Sequence, residues 1–439
     1  MNTDLEQSAR LAKLSTSFLR TLSADKKKLV LRNIAQDLRR RSKEIEEVNA
    51  LDLARAEAEG LSNPLLKRLK FSGAKIEESA VGLEALANMA EPVGVVQEAR
   101  KLDEGLELFR VTVPLGVVAM IFESRPDALV QMAGLCLKSS NAVILKGGRE
   151  AMETNRFLAG LIQECGRKEG LNSDWLYLAE TREDVKTMLT LEKSIDLIIP
   201  RGSNDFVKYI MDNTRIPVLG HADGIVHLYL HEDADTTMSV RIAVDSKTQY
   251  VAVCNAVETL LIHEAAAQRL LPAVANALRS QNVRLLGCEK SCAILPDLEK
   301  ATEQDWDTEY LDYTLSIKIV GGLEEAIQHI NTHGSGHTET IVTENKETAL
   351  AFMDRVDSAD VFWNTSTRFS DGYKFGLGAE VGIATGKLHA RGPMGVQGLL
   401  TSQWRLFGHG QTAADYSGGG KTFIHTNLPF DSYSEYKKD

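Results

Sequence analysis

The sequence predicts an α/β protein of two doubly wound domains with a small β arm attached. Three observations carry that reading. From Pro114 onward, short and fully apolar runs alternate with amphipathic helical stretches, the pattern of a parallel sheet covered on both faces. A second series of the same style follows Thr248. The chain, at 439 residues, is also longer than one hydrophobic core readily organises.

The segment before the first series is different. From about Leu5 to Met89 it is rich in Ala, Leu, Lys, Glu and Arg, with Leu29, Leu31, Ile34 and Leu38 at helical spacing. Ser23-Ala-Asp25 reads as a cap opening one helix, and Gly60 to Pro64 breaks another. Two alternating runs then flank Asp103-Glu-Gly105, a hairpin signal. Such a ribbon is marginal alone, so it is an arm for a partner subunit or a flap on its own domain.

The first α/β series places strands at Val117–Phe122, Ala142–Leu145 and Leu197–Ile199, and Ile225–Leu230 closes it. Glu123-Ser-Arg-Pro126 leads into a helix ending at Lys138, and a further helix covers Asp205 to Asp212. Strand ends carry Lys146-Gly-Gly-Arg149 and Arg201-Gly-Ser203. A glycine after a strand is usually only a turn. Two such ends with basic or hydroxyl residues favour a nucleotide-phosphate site at the carboxyl ends of the strands.

The second series begins with Thr248 to His263, an approach loop, Cys254, and an apolar strand over Val257–Ile262. A helix over Glu264–Ser280 follows, then strands near 283–286, 315–320, 340–342 and 360–364, with helices near 323–330 and 347–356 between them. A cysteine held beside a strand can serve as a nucleophile, because its thiolate is partly available near neutral pH. A lone cysteine is also commonly a small buried hydrophobe. The glycine-rich stretch Phe369 to Gly398 suits backbone packed close to a ligand, or a flexible loop, and the tail reads as loosely ordered.

Composition excludes several classes. The formal net charge of −11, with no long basic block, argues against nucleic acid as the main partner. No apolar run approaches the roughly 18 residues that span a bilayer. The N-terminal residues lack a basic segment followed by an apolar core, and five cysteines without framework spacing suit a reducing compartment, so a cytoplasmic location is expected. His329, His333 and His337 are spaced by four, but Gly334-Ser-Gly336 interrupts the helix, so no metal site is expected. Cys288 and Cys292 do not form a C-x-x-C unit, and no Walker loop or Gly-x-Ser-x-Gly elbow is present.

Four stretches carry a resemblance: Val113 to Asp127, Cys254 to His263, Phe375 to Ile383 and His389-Ala-Arg-Gly-Pro-Met-Gly395. Together they closely resemble the γ-glutamyl phosphate reductases (glutamate-5-semialdehyde dehydrogenases) of proline biosynthesis, within the aldehyde dehydrogenase superfamily. The resemblance covers nearly the whole chain. It implies an aldehyde dehydrogenase-like fold, with an NADPH-binding domain over 1–98 and 114–229 and a catalytic domain over 230–398. Residues 99–113 and 399–439 would form an oligomerisation arm and tail, the hairpin pairing with a strand after Leu399.

The resemblance also implies roles. Cys254 matches the catalytic thiol, and Asn255 beside it is a candidate substrate contact. Lys146 matches the lysine that reaches the adenosine ribose, Gly202 and Ser203 the turn under the pyrophosphate, and Glu309 the glutamate on the nicotinamide ribose. Arg149 stands where many NAD-using relatives carry glutamate, and a cation there favours the 2′-phosphate of NADPH. Arg125 stands at the superfamily's oxyanion asparagine, where a guanidinium suits an acyl phosphate. The glutamate that activates water has no counterpart in Pro217 to Ala222. Arg391 is a candidate for a substrate anion, or equally a structural member of the glycine-rich loop.

The implied reaction is NADPH-dependent reduction of L-γ-glutamyl 5-phosphate to L-glutamate 5-semialdehyde through a cysteine thioester. A homo-oligomer (dimer or tetramer) and a separate glutamate 5-kinase partner are expected. An oxidising aldehyde dehydrogenase would need the missing water-activating base. A silent scaffold that merely keeps the fold fits poorly with an intact cysteine stretch and matched cofactor positions.

Overall fold

The computed structural model describes residues 3–220, 223–377, 380, 382–418 and 420–437. It divides into two compact units: Met1–Gly202 with Ile210–Val218 and Gly395–Asp439, and Ser203–Tyr209 with Leu219–Met394.

In the first unit five helices precede any strand: Thr3–Leu19, Ala24–Arg40, Ser42–Ala58, Asn63–Leu69 and Gly73–Asn88. Ser23 caps the second as expected, its hydroxyl accepting the Lys26 N–H at 3.2 Å. That helix buries Val30, Leu31, Ile34, Ala35 and Leu38. The expected stripe was off by one place at its start, because Leu29 is exposed and Val30 faces inward. The parallel sheet runs in the order Leu176–Ala179, Ala142–Lys146, Val117–Phe122, Leu197–Arg201. The three longer strands contain almost only buried side chains, which is why they read as unbroken apolar runs.

An antiparallel sheet completes this unit. Val96–Asp103 and Leu106–Pro114 form the hairpin, turning through Gly105 at φ +66°. Leu400–Phe407 pairs along the second strand from Leu400↔Pro114 to Phe407↔Glu107. The tail departs from the expectation of loose order. Thr426–Asn427 adds to the first strand, and Tyr433 is buried with its ring 5.1 Å from that of Phe109. The hairpin thus rests on its own C-terminal segment, around Ala99, Phe109, Val111 and Val113.

The second unit is built on seven parallel strands, ordered Glu299–Lys300, Arg284–Gly287, Thr314–Val320, Thr259–His263, His227–Leu230, Thr338–Val342, Asp360–Trp363. The strand expected to close the first series therefore belongs here, between the strands at 259–263 and 338–342. An apolar run declares that it is a strand, not which sheet it joins. Alternate side chains feed two cores: Leu228, Leu230, Leu260 and Ile262 on one face, Tyr229, Leu261 and Ile341 on the other. Each such side chain contributes about 1.5–3 kcal/mol on burial. The helix Glu264–Ser280 has the expected bounds, and its Leu270, Leu271, Val274 and Leu278 cover the first of these faces.

Candidate active site

In the second unit Cys254 is half-buried and in no disulfide. It sits on a turn closed by the Ala256 N–H donating to the Val253 carbonyl at 3.1 Å. The strand it precedes starts at Thr259, two residues later than expected, because Val257 and Glu258 donate to Ser246 and Val226 instead. The thiol thus lies at the amino end of its strand. Lys146, by contrast, ends its strand in the first unit.

Two hydrogen bonds fix the residue beside the thiol, and a third ties their loop to the preceding helix. The Asn255 amide donates to the Ser370 carbonyl at 2.6 Å, and its own carbonyl accepts from the Thr367 hydroxyl at 2.7 Å. Thr367 N–H donates to the Ser246 hydroxyl at 3.2 Å. The Asn255 Oδ1 is buried without a protein partner among the described residues. Asn255 is therefore first an anchor of the cysteine turn, with one acceptor left over.

Glu309 reaches the same turn through Gly224. A Cβ on Gly224 would stand 2.4 Å from the Cys254 carbonyl oxygen, 2.6 Å from its Cα and 2.7 Å from Glu309 Oε1. Only glycine permits that approach. Burial raises the Glu309 carboxyl above its ordinary range, while hydrogen bonds from the Asn204 side chain and the Gly224 N–H work against the rise. Asn204 donates to Glu309 at 2.7 Å and to Asp223 at 2.9 Å. Ser203, directly before it, is exposed, and its carbonyl opens the helix Asn204–Asp212 by accepting from Val207. Neither Gly224 nor Asn204 stands out in the sequence, where each is an ordinary loop residue.

Arg391 is occupied. Its guanidinium lies 3.0 Å from Asp357 Oδ1 and 2.9 Å from the Asp357 carbonyl. This pair suits the structural role, while the Nε is buried without a partner among the described residues, so the substrate-anion role stands beside it. Part of the glycine-rich motif (Gly378, Ala379 and Val381) lies outside the described residues, as do His221 and Ala222.

The histidines spaced by four are separated by the end of the helix Leu323–His333. His333 pairs with Asp307 at 2.8 Å, and His337 Nδ1 is 2.8 Å from the Thr338 hydroxyl. Among the described residues no group of three or more His, Cys, Asp or Glu side chains is placed to hold a metal ion.

In the first unit Gly147, Gly148, Met152, Asn155, Leu178, Ala179 and Glu180 line a small pocket open to solvent. Lys146 ends the strand just before it, its buried amine donating to the Gly147 carbonyl, and burial lowers its pKa. A Cβ on Gly147 would come within 2.1 Å of the Asn155 amide, so the cradle is shaped by bare backbone. Arg149 is open to solvent (79 % exposed), with Glu59 at 3.6 Å. Its neighbour Glu150 turns inward and accepts both the N–H and the hydroxyl of Ser124 at 2.7 Å. That pins Ser124 at φ +42°, a strained position for a non-glycine residue. Arg125 follows it and opens the helix Pro126–Lys138, half exposed and 3.1 Å from Asp127. Gly202 is exposed just beyond the strand Leu197–Arg201.

The aldehyde dehydrogenase family model matches residues 2–291. A γ-glutamyl phosphate reductase of Pelotomaculum thermopropionicum is 56 % identical over 428 residues, 98 % of each chain. The chain belongs to the γ-glutamyl phosphate reductase family. A family member from Acetivibrio thermocellus is likewise 56 % identical, over 96 % of each chain. The crystal structure of the γ-glutamyl phosphate reductase of Thermotoga maritima superposes with a TM-score of 0.91 at 37 % identity, covering 93 % of this chain and 99 % of that one. An acetylating aldehyde dehydrogenase of Geobacillus thermoglucosidasius, at 18 % identity and a TM-score of 0.66, shares the fold. The aldehyde dehydrogenase-like α/β fold inferred from sequence is therefore the fold of this family.

Proposed function

We propose that this chain reduces L-γ-glutamyl 5-phosphate to L-glutamate 5-semialdehyde, releasing phosphate, with NADPH as the reductant. The observation that carries the reading is the seat of Cys254, a half-buried thiol on a rigid turn with Glu309 packed against its backbone across Gly224, in a chain of this family.

Cys254 as thiolate attacks the carbonyl carbon, and the carbon–oxygen bond to phosphate breaks, leaving a thioester and free phosphate. The backbone N–H of Cys254 and the Arg125 side chain are the candidates for holding the oxyanion. Asn255 keeps the turn in place and has its free Oδ1 for a substrate donor. When bound, NADPH supplies the hydride that brings the thioester to the aldehyde level. Cys254 then departs as thiolate from the resulting adduct, and the semialdehyde is released. The sequence offers no water-activating glutamate at Pro217 to Ala222, which spares the thioester from hydrolysis.

For the cofactor, the glycine-lined pocket and the buried amine of Lys146 fit an adenosine ribose, and the open guanidinium of Arg149 fits a 2′-phosphate. Gly202 and Ser203 are assigned to the pyrophosphate and Glu309 to the nicotinamide ribose. Arg391 is assigned to its loop. A homo-oligomer and a glutamate 5-kinase partner complete the reading; the labile acyl phosphate gives proximity to its source a value. No helix among the described residues is long and apolar enough to cross a membrane.

The test is turnover in reverse: pyrroline-5-carboxylate (the cyclic form of the semialdehyde) with NADP or NAD, each with and without inorganic phosphate. Phosphate-dependent reduction of NADP is expected. Turnover without phosphate would mean that water resolves the thioester and would overturn the proposal.

A further inference from the structure

One cation beside Cys254 has no role in the scheme above. Arg368 lies in the short turn Thr367–Phe369, which the Thr367 hydroxyl, the Asn255 amide and the Ser246 hydroxyl tie to the cysteine turn. Its position is therefore fixed relative to the thiol by the same bonds that fix the thiol itself. The side chain is half-buried, and its Nε donates to Gln249 Oε1 at 2.9 Å. No carboxylate forms an ion pair with it among the described residues. Asp245 and Asp371 act on it only through space, and Asp371 already accepts the N–H groups of Tyr373 and Lys374 at 3.0 Å.

That arrangement is unusual for a partly desolvated guanidinium, which ordinarily carries a bound carboxylate. Here the Nε is used for orientation and both terminal nitrogens remain for another acceptor. The charge of a Cys254 thiolate is within its electrostatic reach, while burial pulls the arginine below its ordinary pKa. Lys374 adds a second cation to the turn, its amine donating to the Arg368 carbonyl. Arg391, the arginine that the glycine-rich motif brings to attention, already holds a carboxylate: both its terminal nitrogens donate to Asp357, which leaves only the buried Nε without a partner among the described residues.

We propose that Arg368 binds the phosphoryl group of the acyl phosphate, and free phosphate in the reverse direction, through its two terminal nitrogens. The inference rests on the reaction proposed above. In that reaction the attacking sulfur and the departing phosphate share one carbon, so a guanidinium fixed beside the thiol is placed for the phosphate. The α-carboxylate carbon lies four carbons further along the substrate. A forked pair of N–H donors matches two phosphoryl oxygens, which a lysine ammonium matches poorly. The same charge favours the thiolate form of Cys254 before substrate arrives.

The experiment uses the full chain in the reverse direction, varying inorganic phosphate and pyrroline-5-carboxylate separately with Arg368→Gln and Arg368→Lys. The expected result for Arg368→Gln is a rise of tenfold or more in KM for phosphate, with KM for pyrroline-5-carboxylate changed less than twofold. Arg368→Lys should recover part of the phosphate affinity. A second readout needs no turnover: alkylation of Cys254 by iodoacetamide, followed by mass spectrometry of its peptide. Inorganic phosphate should slow alkylation in the wild type and not in Arg368→Gln, whose alkylation midpoint should also move to higher pH. A phosphate KM unchanged within twofold, a rise confined to pyrroline-5-carboxylate, or no protection of wild-type Cys254 by phosphate would each overturn the assignment. The third applies even if the glutamine variant does not fold. Failure of the proposed function is separate: it would appear as phosphate-independent turnover by the unsubstituted protein.

Discussion

Gly224→Ala adds one methyl group and tests the geometry of the proposed site directly. The new carbon would sit 2.4 Å from the Cys254 carbonyl oxygen and 2.6 Å from its Cα, both backbone atoms. Ordinary contact begins near 3.4 Å, so about 1 Å of displacement is needed. Glu309 Oε1 at 2.7 Å blocks another direction, and that carboxylate is itself held by Asn204. Moving the cysteine turn strains its bonds to Ser370 and Thr367. The overpacking should destabilise the fold by about 1–3 kcal/mol. A displacement of about 1 Å at a reacting group costs on the order of 10²-fold in rate. The assay is kcat/KM in the phosphate-dependent reverse reaction, beside circular dichroism to show that the variant is folded. A folded Gly224→Ala protein within threefold of wild-type activity would refute the claim that this glycine sets the register of thiol and glutamate.

Two further outcomes follow from other parts of the molecule. Arg149→Glu should lower the preference for NADPH over NADH by at least tenfold, measured as the ratio of their dissociation constants by fluorescence titration, since it exchanges an open cation for an anion; an unchanged ratio would remove Arg149 from cofactor choice. His329 is buried, with His227, His333, Trp306 and Lys318 around it and Glu339 and Asp307 on its histidine neighbours, and burial brings its pKa down to about 2. The folded state thus refuses a proton that the unfolded chain takes up near 6.5, so this contribution is complete above pH 6.5 and falls as pH drops, by about 2 kcal/mol at pH 5. Urea denaturation at pH 7.5 and pH 5 should show His329→Asn losing correspondingly less stability than wild type, and equal losses would refute the assignment.

What the sequence disclosed follows from which interactions are local. The helix Glu264–Ser280 was legible to the residue, because its apolar face and the flanking strands mark both ends. The short strand Leu176–Ala179 and the helix Thr236–Thr248 carry no such signal; four residues are too few to show a period, and the helix has buried serines and a lysine where a stripe would be apolar. Cys254, Lys146 and Glu309 are candidates that the sequence names through a resemblance. Gly224 and Arg368 are not, because their meaning lies in neighbours brought by the fold. Nothing near Arg391 in the chain announces Asp357, 34 positions earlier, as its partner.

In the second unit Lys247 and Glu258 form a buried ion pair. Both side chains are fully buried, 2.6 Å apart. Burial pushes the carboxyl up to about 7, and the lysine down, against the attraction of the pair. Such pairs are poor sources of stability, since desolvation offsets most of the Coulomb gain. What this one supplies is connection. Lys247 belongs to the helix Thr236–Thr248, and Glu258 lies four residues beyond Cys254, while its other oxygen accepts the N–H of Leu311 at 3.2 Å. Leu311, at φ +52°, is two residues from Glu309. The helix, the cysteine turn and the glutamate loop are therefore joined at one buried carboxylate. Apolar residues of equal volume would fill the space, but they would not dictate the distance between thiol and glutamate. The reaction proposed above, with the thiol on the substrate carbon and the glutamate on the cofactor, would depend on that distance more than on a further kcal/mol of stability.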